Sequence, residues 1–197
     1  PNKGKITKIN YRPFDERFTF YTGKTKGFHC YPRNEVMQHL INENVALVYK
    51  LGNSEENSAS AMVTKNIIDF RSWSRPGMQG GDYVAPLYKY SEFNGQQNLL
   101  ENESRKPNLK PEIVASIASQ LKLQFQSEKE RNSVSSFAPI DILDYIYAVL
   151  HSPTYRETYK EFLKIDFPKI PYPKDANTFW QLVKLGSQIR EIHLLES

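Results

Sequence analysis

The loop from Arg71 to Gly81 carries side chains that could bind the edges of nucleic-acid bases. Arg71 and Arg75 could each form two hydrogen bonds with guanine in the major groove of DNA, and Gln79 could bind adenine in the same way. Three glycines in the loop would permit a close approach of the backbone to a ligand. We therefore predict base recognition by these three side chains, although an ordinary surface loop can have the same composition.

Basic side chains that could bind phosphate are concentrated at the start of the chain. Residues 1–33 hold eight basic and two acidic side chains, a balance of +6, whereas residues 34–197 hold 18 basic and 20 acidic ones, a balance of −2. Cations that neutralise phosphates release counterions from DNA, which gives an affinity independent of sequence. The predicted phosphate contacts are Arg12, Arg17, Lys24, Lys26 and Arg33.

Aromatic side chains are interleaved with these cations. They are Tyr11, Phe14, Phe18, Phe20, Tyr21, Phe28 and Tyr31. Rings can stack on bases or pack beneath a basic surface, so this mixture suits a face that binds a polyanion. The pattern is also typical of a β-rich segment with a solvated Lys/Arg face over an aromatic core, and both interpretations remain open at this point.

Catalytic motifs are missing or badly spaced. Metal-dependent nucleases use Asp-x-Lys or Glu-x-Lys, and neither occurs in the chain. Asp166–Lys169 departs from the Asn/Asp-Pro-Pro-aromatic pattern of amino-methyltransferases, which grip a flipped base, and no phosphate-binding glycine loop is present. Cys30 and His29 are adjacent, a spacing that rarely orients a nucleophile and its base. The four histidines are too scattered for zinc, so we predict no catalysis, no metal and no cofactor in this chain.

Length and composition describe a globular protein. The 197 residues suit one domain or two small joined ones, and 39% apolar residues are enough for a core. No apolar run approaches the ~20 residues that cross a bilayer, and we expect no secretion signal within this piece. The single cysteine excludes an internal disulfide and fits a reducing compartment. Because the chain begins at Pro1, we expect a processed product or a piece of a longer protein.

The elements that must position these side chains differ between the two halves. Apolar runs in the first half predict strands at Ile6–Ile9, Phe18–Tyr21, Val45–Tyr49, Ala61–Val63, Ile67–Phe70 and Tyr83–Tyr90. Thr22–Lys24 predicts a turn, residues 53–60 predict a polar loop, and Asn34–Ile41 predicts a helix with Asn34 as its N-cap.

The second half has the apolar spacing of helices. The predicted helices begin near Pro111, Pro139, Pro153 and Asp175. The first of them carries its apolar stripe as far as Phe125, and Phe167–Pro173 must be extended because it holds three prolines. Gly186, on the apolar face of the last helix, indicates either a close approach to a neighbouring backbone or simple tolerance of a glycine at this position. We predict an α+β fold with a β-rich N-terminal half packed against a helical C-terminal half.

Five segments carry a resemblance to a known family. They are Tyr11–Arg17, Arg33–Leu40, Ala85–Tyr90, Ile142–Arg156 and Tyr159–Pro171. In this order they resemble the C-terminal target-recognition (specificity) domain of type ISP single-polypeptide restriction–modification enzymes and DNA methyltransferases. The resemblance covers nearly the whole chain, and Tyr-Arg-Pro-Phe-Asp and Asp-Tyr-Ile-Tyr-Ala-Val-Leu-His-Ser-Pro are its most specific parts.

The resemblance implies a sequence-specific DNA-recognition domain that performs no chemistry on its own. Its parent polypeptide would carry a nuclease, an ATP-driven translocase and a methyltransferase, with S-adenosylmethionine, Mg²⁺ and ATP as cofactors. The implied partners are double-stranded DNA and the upstream methyltransferase domain in cis. The implied location is the cytoplasm, with no membrane partner.

We expect residues 1–100 to form a β-rich, DNA-facing subdomain. Residues 101–197 would form a helical subdomain that braces the first and docks on the upstream catalytic domain. Two other classes of function remain open on the sequence. One is a protein–protein interaction scaffold without direct DNA contact, and the other is a small hydrolase whose site the motifs do not reveal.

Overall fold

The computed structural model describes residues 4–25, 29–50, 61–73, 81–90, 105–130 and 135–196. Strands lie mostly in the N-terminal half of these ranges and helices in the C-terminal half, which confirms the predicted α+β class. In the first half the elements are β1 (Lys5–Arg12), β2 (Asp15–Tyr21), α1 (Asn34–Met37) with a 3₁₀ turn (Gln38–Leu40), β3 (Ala46–Tyr49), β4 (Ala61–Thr64), β5 (Ile67–Ile68), β6 (Tyr83–Pro86) and β7 (Tyr88–Tyr90). In the second half they are β8 (Arg105–Pro107), α2 (Pro111–Leu121), β9 (Gln124–Phe125), β10 (Ser136–Phe137), α3 (Pro139–His151), α4 (Pro153–Thr158), α5 (Lys160–Leu163) and α6 (Ala176–His193).

A central antiparallel sheet, with strand order β4-β3-β6, is shared by two hydrophobic cores. Alternate residues of β3 point to opposite faces. Ala46 and Val48 pack into a core formed with the β1–β2 hairpin, β5 and α1. On the other face, Ala61 and Val63 of β4 pack into a core formed with the helices. The central sheet therefore separates a hairpin layer, in which β1 lies between β2 and β5, from a helical layer.

The helical layer is held together by the close packing of α3 against α6. A Cβ atom at Gly186 would lie 1.8 Å from the backbone oxygen of Asp144, so this position admits only glycine without a backbone shift. Of the two alternatives left open at Gly186, this geometry confirms the close approach. Asp175, where the last helix was predicted to begin, is the N-cap of α6, because its carboxylate accepts from the Thr178 N–H at 2.8 Å.

The proline-rich segment after α5 is extended and is attached to the helices by two tyrosines. Tyr145 donates to the Pro171 oxygen at 2.9 Å, and Tyr155 donates to the Lys169 oxygen at 3.0 Å. Both tyrosines are buried. The segment Ile142–Arg156, the longest of the recognised motifs, thus builds this core.

Several predicted boundaries of helices and strands are wrong. In each case a residue with a left-handed backbone, or a side chain distant in sequence, sets the boundary. The N-cap of α1 is Arg33, at φ +48°, and not Asn34. The helix α2 stops at Leu121 because Lys122 adopts φ +55°. As a consequence, Phe125 belongs to β9, which pairs in parallel with β10.

The predicted strand Tyr83–Tyr90 is two strands in the structure. The β6 strand ends at Pro86, and β7 leaves the central sheet to pair with β8, a strand not predicted from the sequence. The Asn44 side chain explains the break between β6 and β7. It accepts from the Tyr88 backbone N–H at 3.2 Å and donates to the Tyr88 backbone oxygen at 2.8 Å. The predicted polar loop 53–60 lies outside the described residues.

Candidate nucleic-acid interface

The two faces of the β1–β2 hairpin differ sharply in exposure. On the inner face, Ile9, Thr19 and Tyr21 are buried against the central sheet. On the outer face, Ile6 and Phe18 are 72% and 76% exposed. Among the described aromatic residues at the start of the chain, only Tyr21 joins the core. The alternative of a basic face over an aromatic core is therefore wrong for the described residues of this segment.

Two predicted phosphate contacts, Arg12 and Arg17, meet at the tip of the hairpin. A bulge interrupts the β1–β2 register between Asn10 and Arg12. Both guanidiniums stack on the Tyr11 ring, each with its Cζ 4.2 Å from the ring centroid. We call Tyr11, Arg12, Asp15 and Arg17 the arginine cluster. Its side chains are exposed or half-exposed and can reach a ligand in solvent.

Asp15 orients one of these guanidiniums. The Nε of Arg17 donates to Asp15 Oδ1 at 3.0 Å, and its Nη2 donates to Oδ2 at 2.7 Å. These hydrogen bonds hold the pKa of Asp15 below its usual value. A bidentate pair fixes the plane of a guanidinium and leaves its outer N–H groups available for a phosphate. Within the motif Tyr11–Arg17 the structure thus pairs Asp15 with Arg17.

Asp69 connects the arginine cluster to Arg71, a predicted base-recognition residue. Its Oδ1 accepts from the Arg71 N–H at 3.0 Å and lies 3.8 Å from Nη1 of Arg12. The Arg71 side chain is exposed. The structure therefore places the backbone of Arg71 beside the Arg12 side of the arginine cluster. Arg75, Gln79 and Lys26 lie outside the described residues and remain predictions.

Lys24 and Arg33, also predicted to contact phosphate, line a separate open cleft. Lys24 follows the Gly23 turn at the other end of β2, and about 13 Å of strand separates Arg17 from Tyr21. The cleft has a volume of about 680 Å³ and is lined by Gly23, Lys24, Thr25, Tyr31, Pro32, Arg33, Asn34 and Glu35. Lys24 is exposed in it.

The Arg33 side chain is half-buried, and its guanidinium forms hydrogen bonds with backbone oxygens. Its Nη1 donates to the Asp82 oxygen and its Nη2 to the Asp69 oxygen. Burial lowers the pKa of this guanidinium from its usual value. This geometry favours a structural role for Arg33, which holds two parts of the chain together, rather than the phosphate contact predicted from the sequence.

Asp82 is a buried residue that the sequence analysis missed. Its Oδ2 accepts from the Ser72 hydroxyl at 2.8 Å and from the Trp73 N–H at 2.9 Å. Its Oδ1 lies 3.5 Å from the Lys50 ammonium. No local sequence signal marks this group, because its partners are 9, 10 and 32 positions away.

The described residues contain no group of three side chains that could hold a metal ion. The His29 ring hydrogen-bonds to Thr19 at 2.8 Å, and burial lowers its pKa. Cys30 is an exposed free thiol. None of the described helices has the length and apolar character that a membrane-spanning segment needs.

Comparisons with known proteins identify relatives of this chain. The family model of the Type ISP C-terminal specificity domain matches residues 1–197. Among curated proteins, none matches the chain significantly.

Three solved structures share the fold. The ATP-dependent Type ISP restriction–modification enzyme LlaBIII bound to DNA is 21% identical with a TM-score of 0.67, over 98% of this chain and 11% of that chain. The DrdV–DNA complex is 22% identical with a TM-score of 0.64, over 96% of this chain and 16% of that chain. A nuclease-deletion mutant of the Type ISP enzyme LlaGI, in complex with a DNA substrate mimic, is 20% identical with a TM-score of 0.54, over 96% and 14% respectively. This chain thus spans between a tenth and a sixth of the length of those proteins.

Proposed function

The chain belongs to the family of Type ISP C-terminal specificity domains, and from this premise we propose that it recognises a sequence in double-stranded DNA. The observation that supports the proposal is the exposed pair Arg12 and Arg17 on the Tyr11 ring, with Asp69 linking Arg12 to the backbone of Arg71. Arginine is the side chain best suited to bidentate contacts with both phosphate and guanine.

Each cation has its own proposed role. Arg12 and Arg17 bind phosphates and set the position of the duplex, which contributes affinity without sequence preference. Arg71 binds a base edge, together with Arg75 and Gln79. Lys24 binds phosphate beside the open cleft and Lys26 is a further phosphate contact, whereas Arg33 supports the fold.

The domain works in cis within a larger restriction–modification polypeptide. In this proposal, an S-adenosylmethionine-dependent methyltransferase and an ATP- and Mg²⁺-dependent nuclease act at the site that this domain selects. The parent polypeptide would act in the cytoplasm, where its substrate DNA lies.

The salt dependence of duplex binding tests this proposal in the full-length protein. The slope of log K against log salt should be close to −0.9 for each phosphate contacted. Arg12→Ala and Arg17→Ala should each weaken all duplexes to a similar extent and reduce that slope by about one. Lys184→Ala, an exposed change on α6, is the control and should leave the slope unchanged.

Two outcomes would contradict the proposal. Duplex binding that is undetectable or insensitive to salt would favour the protein–protein scaffold instead. An equal effect of the Lys184 and Arg17 changes would show that the arginine cluster does not face the duplex.

A further inference from the structure

A buried ion pair lies directly beneath the segment that carries Arg71. The side chain of Asp82 is fully buried, and that of Lys50 is 10% exposed. Removing a carboxylate from water is costly unless its oxygens are paired with charges and hydrogen-bond donors. Lys50, the Ser72 hydroxyl and the Trp73 N–H supply these partners. The carboxylate thus joins residue 82, which directly precedes β6, to residues 72 and 73.

The backbone at this point is held by a second set of contacts. The N–H of Asp82 donates to the Phe70 oxygen at 3.0 Å. The Arg33 guanidinium donates to the backbone oxygens of both Asp69 and Asp82. A single side chain therefore connects the two segments that carry these residues. Residues 69–73 are therefore attached at both their backbone and their side chains.

These contacts continue to the surface through Asp69. Its backbone oxygen accepts from Arg33, while its carboxylate accepts from the Arg71 N–H and faces Arg12. A shift of residues 69–73 would consequently move Arg71 and remove the carboxylate that faces Arg12. Bidentate recognition of a base tolerates displacements of only about 0.5 Å.

We infer that Asp82 and Arg33 are positioning residues for DNA recognition, which hold residues 69–73 so that Arg71 and Arg12 present their guanidiniums to one duplex. The inference rests on the proposed function and adds to it two groups that set sequence preference without touching DNA.

The helical layer supplies a matched control. Asp144 of α3 forms a buried pair with Arg190 of α6, with Nε 2.6 Å from Oδ1 and Nη2 3.1 Å from Oδ2. Its side chain is 4% exposed, so Asp144→Asn is the same chemical change in a similarly buried pair. This pair makes none of the contacts that hold residues 69–73.

The experiment compares the full-length wild-type protein with Asp82→Asn and Asp144→Asn. The probe is a pool of duplexes with a randomised central segment, and the readout is the affinity for the enriched sequence divided by that for the starting pool. Asp82→Asn should lower this ratio about tenfold, the loss expected for one bidentate base contact. Asp144→Asn should leave the ratio within about twofold, although its unfolding temperature falls.

Ser72→Ala removes one donor to the same carboxylate and should lower the ratio in the same direction by a smaller factor. If Asp82→Asn does not fold, this variant decides. A ratio unchanged in the Asp82 and Ser72 variants, or lowered equally by Asp144→Asn, would overturn the inference alone. A wild-type protein that shows no salt-dependent binding and enriches no sequence would overturn the proposed function itself.

Discussion

The two faces of the central sheet support layers of very different character. On the helical side, Phe137, Phe179 and Tyr147 are at most 1% exposed and form part of a large shared core. On the hairpin side the core is smaller, and the outer face of the hairpin leaves Phe18 76% exposed. The difference indicates that the helices supply most of the stability, while the hairpin layer is built to present side chains.

The charged residues follow the same division. In the helical layer, Arg190 forms an ion pair with Asp144 inside the protein. In the hairpin layer, Arg12 and Arg17 remain at the surface, and their acidic partners orient them without burying them. Binding groups carried on turns above a rigid scaffold are a common arrangement, because a turn can change without loss of the core.

The largest expected effect is the loss of a core aromatic in the helical layer. Phe137 is 1% exposed and contacts the rings of Phe125 and Phe179. Phe137→Ala should lower the free energy of unfolding by about 3–5 kcal/mol because it leaves a cavity. Urea denaturation measures this, with Phe137→Leu as a milder control. A loss below about 1 kcal/mol would remove the contrast in stability between the two layers.

A second expected effect concerns acid stability and the histidine His151. Burial, reinforced by Arg156 and His193, lowers its pKa to about 4. Since the unfolded chain binds a proton near pH 6.5, the stability due to neutral His151 is complete above that pH and is lost as the pH falls towards 4. The wild type should therefore lose more stability than His151→Gln between pH 7.5 and pH 5, by about 1 kcal/mol once the partial exposure of the ring is allowed for. Parallel losses in the two proteins would contradict this expectation.

The smallest expected effect lies on the outer face of the hairpin. Phe18 is largely exposed, so Phe18→Ser should change the free energy of unfolding by less than about 0.5 kcal/mol. Thermal unfolding of the variant measures this, with the Phe137 change as the reference. A loss comparable to that of Phe137→Ala would show that the outer face is covered in the folded protein.

Much of the secondary structure follows from local patterns. The periods of apolar residues predicted β1 to β4 and the starts of α2, α3, α4 and α6, because burial on one face imposes a spacing of two or of three to four residues. Proline and the Asp175 N-cap placed the helix starts within about a residue. Failures occurred at Arg33 and Lys122, where a non-glycine residue adopts a left-handed conformation. No local sequence pattern predicts such a residue, because the surrounding packing imposes its left-handed conformation.

The sequence by itself determined the fold class, the concentration of positive charge in the first 33 residues and the candidate cations. Only the tertiary structure decided which of these residues lie beside one another. It joined Arg12 to Arg71 through Asp69, 57 positions beyond Arg12. It also turned Arg33 inward to Asp82. Such pairings depend on how the hairpin packs on the central sheet. The physical reason is that the charge of a side chain follows from its own residue type, whereas the fold decides which distant group lies beside it.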